Sequence, residues 1–306
     1  SIKKNNKFKI ILLSANQNIK KLLKQSIGFK VKDAIIESED KYFKYKYVFK
    51  KKGINLHLGI NNIDKIINKK LSFAINSISG IDGLEPTLKI IPLTDKLLIA
   101  NKESIICAWE LIQKKLDKFK TKFIPLDSEH FSIWKLIRNE QIDTIDKIIL
   151  TASGGPFLNK TRKQIYNIKP RFALKHPNWK MGKKISIDSA TMMNKIFELI
   201  EAKKIFNLKK NKLSIIIHPS SYVHAIVFFK GNIVKLLSHD TKMSIPISNA
   251  LEIYDNKNKI NVFQHINKFN SLSFLKPKVS QFPLLKIINL IPNQQSYFET
   301  ILITIN

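Results

Sequence analysis

Short apolar runs alternate with amphipathic stretches along most of this chain. Lys9 to Ser14 reads as a buried strand, and Asn18 to Ile27 as a helix with one apolar face. The charged, aromatic stretch from Glu37 to Lys52 fits neither period. Ile60 to Asn68 predicts a helix and Leu71 to Ile78 a strand; the Gly80/Gly83 turn and a short helix after Pro86 follow. Leu97 to Ala100, Lys122 to Leu126 and Lys147 to Thr151 predict three further strands. A helix over Glu103 to Leu116, and another after Asp127-Ser128-Glu129-His130 that runs to Ile137, separate them. This alternation predicts an α/β fold with a doubly wound parallel sheet, in which ligands bind past the carboxyl ends of the strands.

Farther along, Ile185 to Ile187 predicts a short strand and Ser189 to Ile205 a long helix. Leu213 to Ile217, Tyr222 to Lys230 and Ile233 to Ser238 predict strands, the last two joined at Gly231-Asn232 as an antiparallel hairpin. From about Phe263 the pattern weakens into a linker-like stretch. There is no internal repeat.

The 306 residues suffice for about two domains. One cysteine, Cys107, excludes an internal disulfide framework and sits in an apolar helical setting, as a small core residue does. No apolar run has the length of a membrane span, and Ser1 to Ser14 lacks the features of a signal peptide, so a cytoplasmic protein is expected. The net charge of +30 invites a nucleic-acid reading. Against it, lysine is spread along the whole chain and arginine occurs only at Arg138, Arg162 and Arg171. Arginine is the residue that reads phosphate and guanine bidentately. Lysine, isoleucine and asparagine together are what A/T-rich codons supply, so no nucleic-acid partner is expected.

Candidate chemistry falls into three groups. Asp127 and Glu129, two apart at a predicted strand end, project to one side. On the helix after Ser189, Thr191, Asn194, Glu198 and Glu201 form one stripe, opposite Met192, Met193, Ile196, Leu199 and Ile200. If Glu198 meets Asp127 and Glu129, three hard oxygen ligands suit Mg²⁺ or Mn²⁺. A solvated helix face and a strand-end cap fit the same spacing. The second group is an anion site: Ser189 at a predicted helix N-terminus, Asn194 and Lys195 within two turns, and the small-residue turn Ser153-Gly154-Gly155. Ordinary N-capping is the alternative. Third, His176-Pro177-Asn178-Trp179-Lys180-Met181-Gly182 reads as a loop able to fold over a ligand, or as a surface loop whose Trp fills the core. His218 and His224 flank a turn in an antiparallel context that favours a structural role.

Four segments then occur in a recognisable order: Leu98-Ile99-Ala100-Asn101-Lys102-Glu103-Ser104; Pro125-Leu126-Asp127-Ser128-Glu129-His130; Thr151-Ala152-Ser153-Gly154-Gly155-Pro156-Phe157; and Ala173 to Trp179 continuing through Ser189-Ala190-Thr191-Met192-Met193-Asn194-Lys195 to Glu198 and Glu201. Over nearly its whole length the chain resembles the 1-deoxy-D-xylulose 5-phosphate reductoisomerases. The resemblance implies NADPH and a divalent metal (Mg²⁺ or Mn²⁺, with Co²⁺ also accepted). It implies conversion of a phosphorylated sugar to 2-C-methyl-D-erythritol 4-phosphate in non-mevalonate isoprenoid synthesis, and a homodimer. Matched motif by motif, it makes Asp127, Glu129 and Glu198 metal ligands. Lys102 and Ser128 then face the reacting end of the substrate. Ser153, His176, Ser189, Asn194 and Lys195 hold it elsewhere, and Trp179 and Met181 belong to a closing loop. Asn101, Glu103 and Gly182 match cofactor-contacting positions, and Asn16-Gln17-Asn18 stands where the family has Gly-Lys-Asn.

The resemblance places an NADPH-binding domain at 1–126, a catalytic domain with a partly antiparallel sheet at 127–262, and a linker at 263–306. The family's Gly-rich loop would precede Ser1 and its C-terminal helical domain would follow Asn306, so a chain shortened at both ends is expected. An inactive remnant that binds metal and phosphate but not NADPH is the alternative expectation.

Overall fold

The computed structural model describes residues 8–179, 181–254, 261–294 and 296–306; Lys180 of the expected closing loop lies outside them. Two three-stranded parallel sheets come first. β1 (Leu12–Ala15), β2 (Asp33–Ile36) and β3 (Asn55–Leu58) pair in that order, with Leu13 beside Ala34 and Ala34 beside Leu56. Helix α1 (Ile19–Gly28) crosses from β1 to β2, and the Asn18 side chain caps it by accepting the Lys21 N–H at 3.2 Å. α2 (Glu39–Lys50) occupies the stretch that fits neither period. Its acids, Glu39 and Asp40, sit in the first turn and Lys50 in the last, which complements the helix dipole. Of its residues only Phe49 is buried; Tyr42 and Tyr45 pack partly buried on the same core, while Phe43 and Tyr47 are exposed.

After the short α3 (Ile63–Ile66), the second sheet pairs β4 (Leu71–Asn76), β5 (Thr94–Ile99) and β6 (Lys122–Pro125) in that order. α4 (Leu84–Ile90) and α5 (Lys102–Phe119) make the crossovers. Leu97, Leu98 and Ile99 in the carboxyl-terminal half of β5 are fully or almost fully buried, as a sheet covered on both faces requires.

A third, mixed sheet has the order β10-β9-β7-β8. α6 (Ser128–Ile137) leads from β6 into β7 (Ile145–Ala152), and β7 runs parallel to β8 (Leu213–Ile217). β9 (Val223–Phe229) is antiparallel to β7 and, through the expected hairpin, to β10 (Ile233–Ser238). Between β7 and β8 lie α7 (Arg162–Tyr166), α8 (Lys183–Ala190) and α9 (Met193–Ile205). α9 forms the centre of the largest core: Ile196, Phe197, Leu199 and Ile200 pack with Ile148 and Leu150 of β7 and Ala225 and Val227 of β9.

Two expectations are corrected here. Ile185 to Ile187 is not a strand but part of α8; three alternating residues are too few to separate the two periods, and the Ser186 hydroxyl bonds back to the Gly182 carbonyl as a first helical turn allows. The helix expected from Ser189 begins instead at Met193. Met192 adopts φ +66°, in the left-handed region, and separates α8 from α9.

The linker-like stretch contains α10's successor elements: after α10 (Ser244–Ala250) come α11 (Val262–Asn270), α12 (Ile287–Leu290) and α13 (Phe298–Ile305). α13 is anchored to α9 by the buried pair Lys203–Glu299, Nζ to Oε1 2.7 Å. Among the described residues no further helical domain follows, and no helix is long and apolar enough to cross a membrane.

Candidate active site

Parallel strands deliver the first functional side chains from their carboxyl ends. β5 ends at Ile99, and Asn101 caps α5, whose first residue is Lys102. β6 ends at Pro125, and Asp127 caps α6 by accepting the Glu129 N–H at 3.2 Å. Asp127 and Glu129 thus converge through the geometry of a helix cap, not through the two-residue period of a strand. Ser128 Oγ donates to Glu129 Oε2 at 2.5 Å. On α9, Asn194, Lys195, Glu198 and Glu201 recur at helical spacing and turn toward this end of β6. The stripe is not solvated: Glu198 and Glu201 are each 2% exposed.

Asp127, Glu129 and Glu198 each offer a carboxylate oxygen, and these three atoms lie within 4.8 Å of one another. Lys195 Nζ bridges two of the acids, donating to Glu129 Oε1 at 2.7 Å and to Glu198 Oε2. The Asn194 amide donates to Glu198 Oε1. On the other side, Lys102 Nζ lies 3.5 Å from Asp127 Oδ2 and 3.4 Å from Glu201 Oε2.

So many charges in one buried place shift one another. Burial and the neighbouring Glu129 push the Glu198 carboxyl up to about 8. Burial alone would raise Asp127 as well, but Lys102 and His130 outweigh it and hold that carboxyl well below the usual range. Burial opposes the charge on Lys102 and on Lys195; the carboxylates around each ammonium overcome this and raise both. The cluster is a set of mutually compensated charges, the condition under which ions persist in an interior.

Lys102, Asp127, Glu129, Lys195 and Glu198 line a cavity of about 310 Å³, together with Ser153, His176, Trp179, Met181, Gly182, Ser189, Ser221, His224 and Met243. Ser153 follows the end of β7, in a turn that passes close to α8. A Cβ placed on Gly155 would lie 2.7 Å from the Ser189 carbonyl oxygen. Ser189 therefore reaches the cavity from the last turn of α8, not from a helix N-terminus. The anion-site expectation is corrected on that point, because the break at Met192 moves the N-terminus to Asn194 and Lys195. The hydroxyl of Ser153 accepts from His176 Nε2 at 2.9 Å, while His176 Nδ1 accepts the N–H groups of Asn178 (3.1 Å) and Trp179 (2.9 Å). The Trp179 ring meets that of His224 edge-on, with centroids 6.0 Å apart.

The residues matched to cofactor contacts fall in three places. Asn16, Gln17 and Asn18 lie just past β1, away from the cavity. Glu103 is in the first turn of α5, and Gly182 caps α8 at the cavity rim. Asn101 is 2% exposed, and its side chain is spent inside the fold: it donates to the Gly80 carbonyl at 2.7 Å and accepts the Ser104 N–H at 2.6 Å. It shapes the loop under the cofactor positions rather than offering its amide outward.

Two histidines bear more on the site than their spacing suggests. His130 is fully buried; Nε2 donates to the Glu198 carbonyl at 2.8 Å and Nδ1 lies 3.2 Å from Asp127 Oδ1. Burial would lower it, but Glu201 and Asp127 push it up to about 9. Its position three residues after Asp127 on α6 was the available signal. His224 lies in the cavity wall against His239, the two rings stacked with centroids 3.8 Å apart.

The sequence model of the 1-deoxy-D-xylulose 5-phosphate reductoisomerases matches residues 2–109, and that of their C-terminal domain matches 123–206. The 1-deoxy-D-xylulose 5-phosphate reductoisomerase of Pelagibacter ubique is 49% identical over 301 residues, 98% of this chain and 78% of the relative. That of Persephonella marina is 40% identical over 283 residues, 92% of this chain and 72% of the relative. Among solved structures, the Zymomonas mobilis reductoisomerase in complex with NADPH superposes with a TM-score of 0.83 at 29% identity, covering 94% of this chain and 75% of that one. A DOX-P reductoisomerase in complex with NADPH, fosmidomycin and magnesium gives 0.82 at 31% identity, covering 94% and 74%.

Proposed function

Since the chain belongs to the 1-deoxy-D-xylulose 5-phosphate reductoisomerase family, we propose that it converts 1-deoxy-D-xylulose 5-phosphate to 2-C-methyl-D-erythritol 4-phosphate, using NADPH and Mg²⁺ or Mn²⁺. The observation that carries this reading is the meeting of three carboxylates with two lysines in one cavity. Three hard oxygen donors without a thiolate suit a small divalent cation. Asp127, Glu129 and Glu198 are the residues that would hold it, and when bound it supplies a Lewis acid for the ketone and hydroxyl oxygens of the substrate.

The chain's own residues do the rest. Lys102, whose pKa burial would lower but its acidic neighbours raise, presents an ammonium to the reacting end, and Ser128 a hydroxyl beside it. Both direct hydrogen bonds at oxygens that gain negative charge as the carbon skeleton rearranges. Ser153, Ser189, Asn194 and Lys195 are assigned to the phosphate, with His176 lining the same cavity: they combine one ammonium with neutral donors. Trp179 and Met181 cover the cavity and exclude water, which protects the rearranged aldehyde until hydride arrives. NADPH supplies that hydride, and Asn16 to Asn18, Glu103 and Gly182 are the positions assigned to it, with Asn101 supporting them.

We assign the cofactor domain to 1–126, the catalytic domain to 127–262 and the connecting stretch to 263–306. The protein is read as a cytoplasmic homodimer. The edge strand β10, with Ile233, Val234 and Leu236 exposed, is the surface this association would use. The test is substrate-dependent oxidation of NADPH by the purified chain with and without Mg²⁺. Oxidation that requires the metal is expected; its absence in a folded chain that binds NADPH would refute the reading.

A further inference from the structure

Glu201 has no part in the chemistry assigned so far, yet it is a carboxylate buried to 2% exposure on the helix that carries Glu198. A buried carboxylate persists only with a partner. Its hydrogen-bonded partner is Lys102, whose Nζ donates to Glu201 Oε2 at 3.4 Å. Asp127, His130 and Glu201 also place ligand atoms within 4.8 Å of one another, a grouping that on composition suits a cation. The cation already there is the Lys102 ammonium, between Asp127 and Glu201.

We propose that Glu201 is a positioning residue for Lys102. The inference rests on the reading of Asp127 as a metal ligand. Asp127 has several claims on it: the Glu129 N–H, His130 and Lys102 all lie within 3.5 Å of its oxygens. A carboxylate so divided, and committed to a metal, is a weak tether for a second cation. Glu201 faces no such competition from the metal. Lysine is a point charge on a flexible stem, with no planar fork to orient it. The Asn101 cap fixes its root at the start of α5, and Glu201 fixes its tip. The two together leave the ammonium one position at the cavity wall.

The test compares the intact protein with Glu201→Gln, which keeps the shape and removes the charge. Supporting positions of this kind change activity by about 10- to 100-fold, and a loss of that size in kcat is expected, with the KM for NADPH and the Mn²⁺ affinity unchanged. In a Lys102→Met background the same substitution should have no further effect on the single-turnover rate. A readout independent of turnover is proton exchange at the Lys102 ammonium, followed by NMR on isotope-labelled lysine. Its signal, assigned by its absence in Lys102→Met, should exchange faster in Glu201→Gln. Unchanged exchange, an additive double variant, or a parallel loss of Mn²⁺ affinity would overturn the proposal. Failure of the wild type to turn over, with the exchange difference intact, would refute the enzymatic reading and leave the Glu201–Lys102 coupling standing. Should Glu201→Gln not fold, Glu201→Asp retracts the charge by one methylene and is read in the same way.

Discussion

His176 Nε2 and Ser153 Oγ lie 2.9 Å apart, joining the loop that carries Trp179 to the turn after β7. The other ring nitrogen accepts two backbone N–H groups, from Asn178 and Trp179, so this ring must be neutral with its proton on Nε2. Burial, reinforced by the Lys195 charge, lowers its pKa and favours that form. A histidine held below its unfolded pKa binds fewer protons when folded. Its contribution is therefore complete above about pH 6.5 and is lost progressively as the pH falls below that value. The loop should loosen on acidification in the same range. The check is the emission of Trp179 in a variant whose other tryptophans, Trp109 and Trp134, are replaced by Phe. A spectrum that stays constant down to the acid unfolding of the whole chain would contradict the assignment.

Asn178 fixes the same loop from its far side. Its amide donates to the Pro219 carbonyl at 2.6 Å and to Ser221 Oγ at 2.8 Å, in the turn between β8 and β9. Net hydrogen bonds contribute about 0.5–1.5 kcal/mol each, so Asn178→Ala should weaken closure by about 2 kcal/mol. That corresponds to about a 30-fold rise in the substrate KM, with kcat less affected. Steady-state kinetics decide it; a loss confined to kcat would mean the loop acts otherwise.

Gly155 sits at φ +66° with room for no side chain, because a Cβ would stand 2.7 Å from the backbone oxygen of Ser189. Neither the strained backbone nor that carbonyl can give way cheaply. Gly155→Ala should destabilise the fold by about 1–3 kcal/mol and part Ser153 from Ser189. Thermal unfolding measures the first effect and affinity for inorganic phosphate the second. An unchanged transition with unchanged phosphate affinity would show that the approach does not matter.

Much of the site is legible in the sequence because its parts sit at strand ends and on one helix face. Asp127, Glu129 and Glu198 stand out as candidates by spacing and as a set by the resemblance, although Asp127 and Glu129 converge through a helix cap and not through a strand period; α5, α6 and the β9–β10 hairpin follow from local pattern. The break at Met192 does not. The helical pattern runs on through Thr191 of the polar stripe and Met192 of the apolar one without a glycine or proline, and only the tertiary fold places a left-handed residue there. Ser189 was consequently expected at the wrong end of a helix. His130 escaped notice for a related reason: its partner is the Glu198 carbonyl, 68 positions away, which no local pattern reports. α2 is hard to read because Tyr42, Tyr45 and Phe49 face the core while Phe43 and Tyr47 are exposed, so aromatics stand on both sides of the helix and blur its apolar stripe.

The central claim is that Asp127, Glu129 and Glu198 form the metal site of a reductoisomerase. Glu198→Gln tests it most directly, because the change replaces one of the three carboxyl ligands by an amide and leaves the cofactor positions untouched. The measurement is formation of 2-C-methyl-D-erythritol 4-phosphate by the intact chain and by this variant, with NADPH binding titrated in both. The account expects product from the intact chain, none from the variant, and nearly equal NADPH affinity. Equal product from both would remove Glu198 from the metal site and contradict the account.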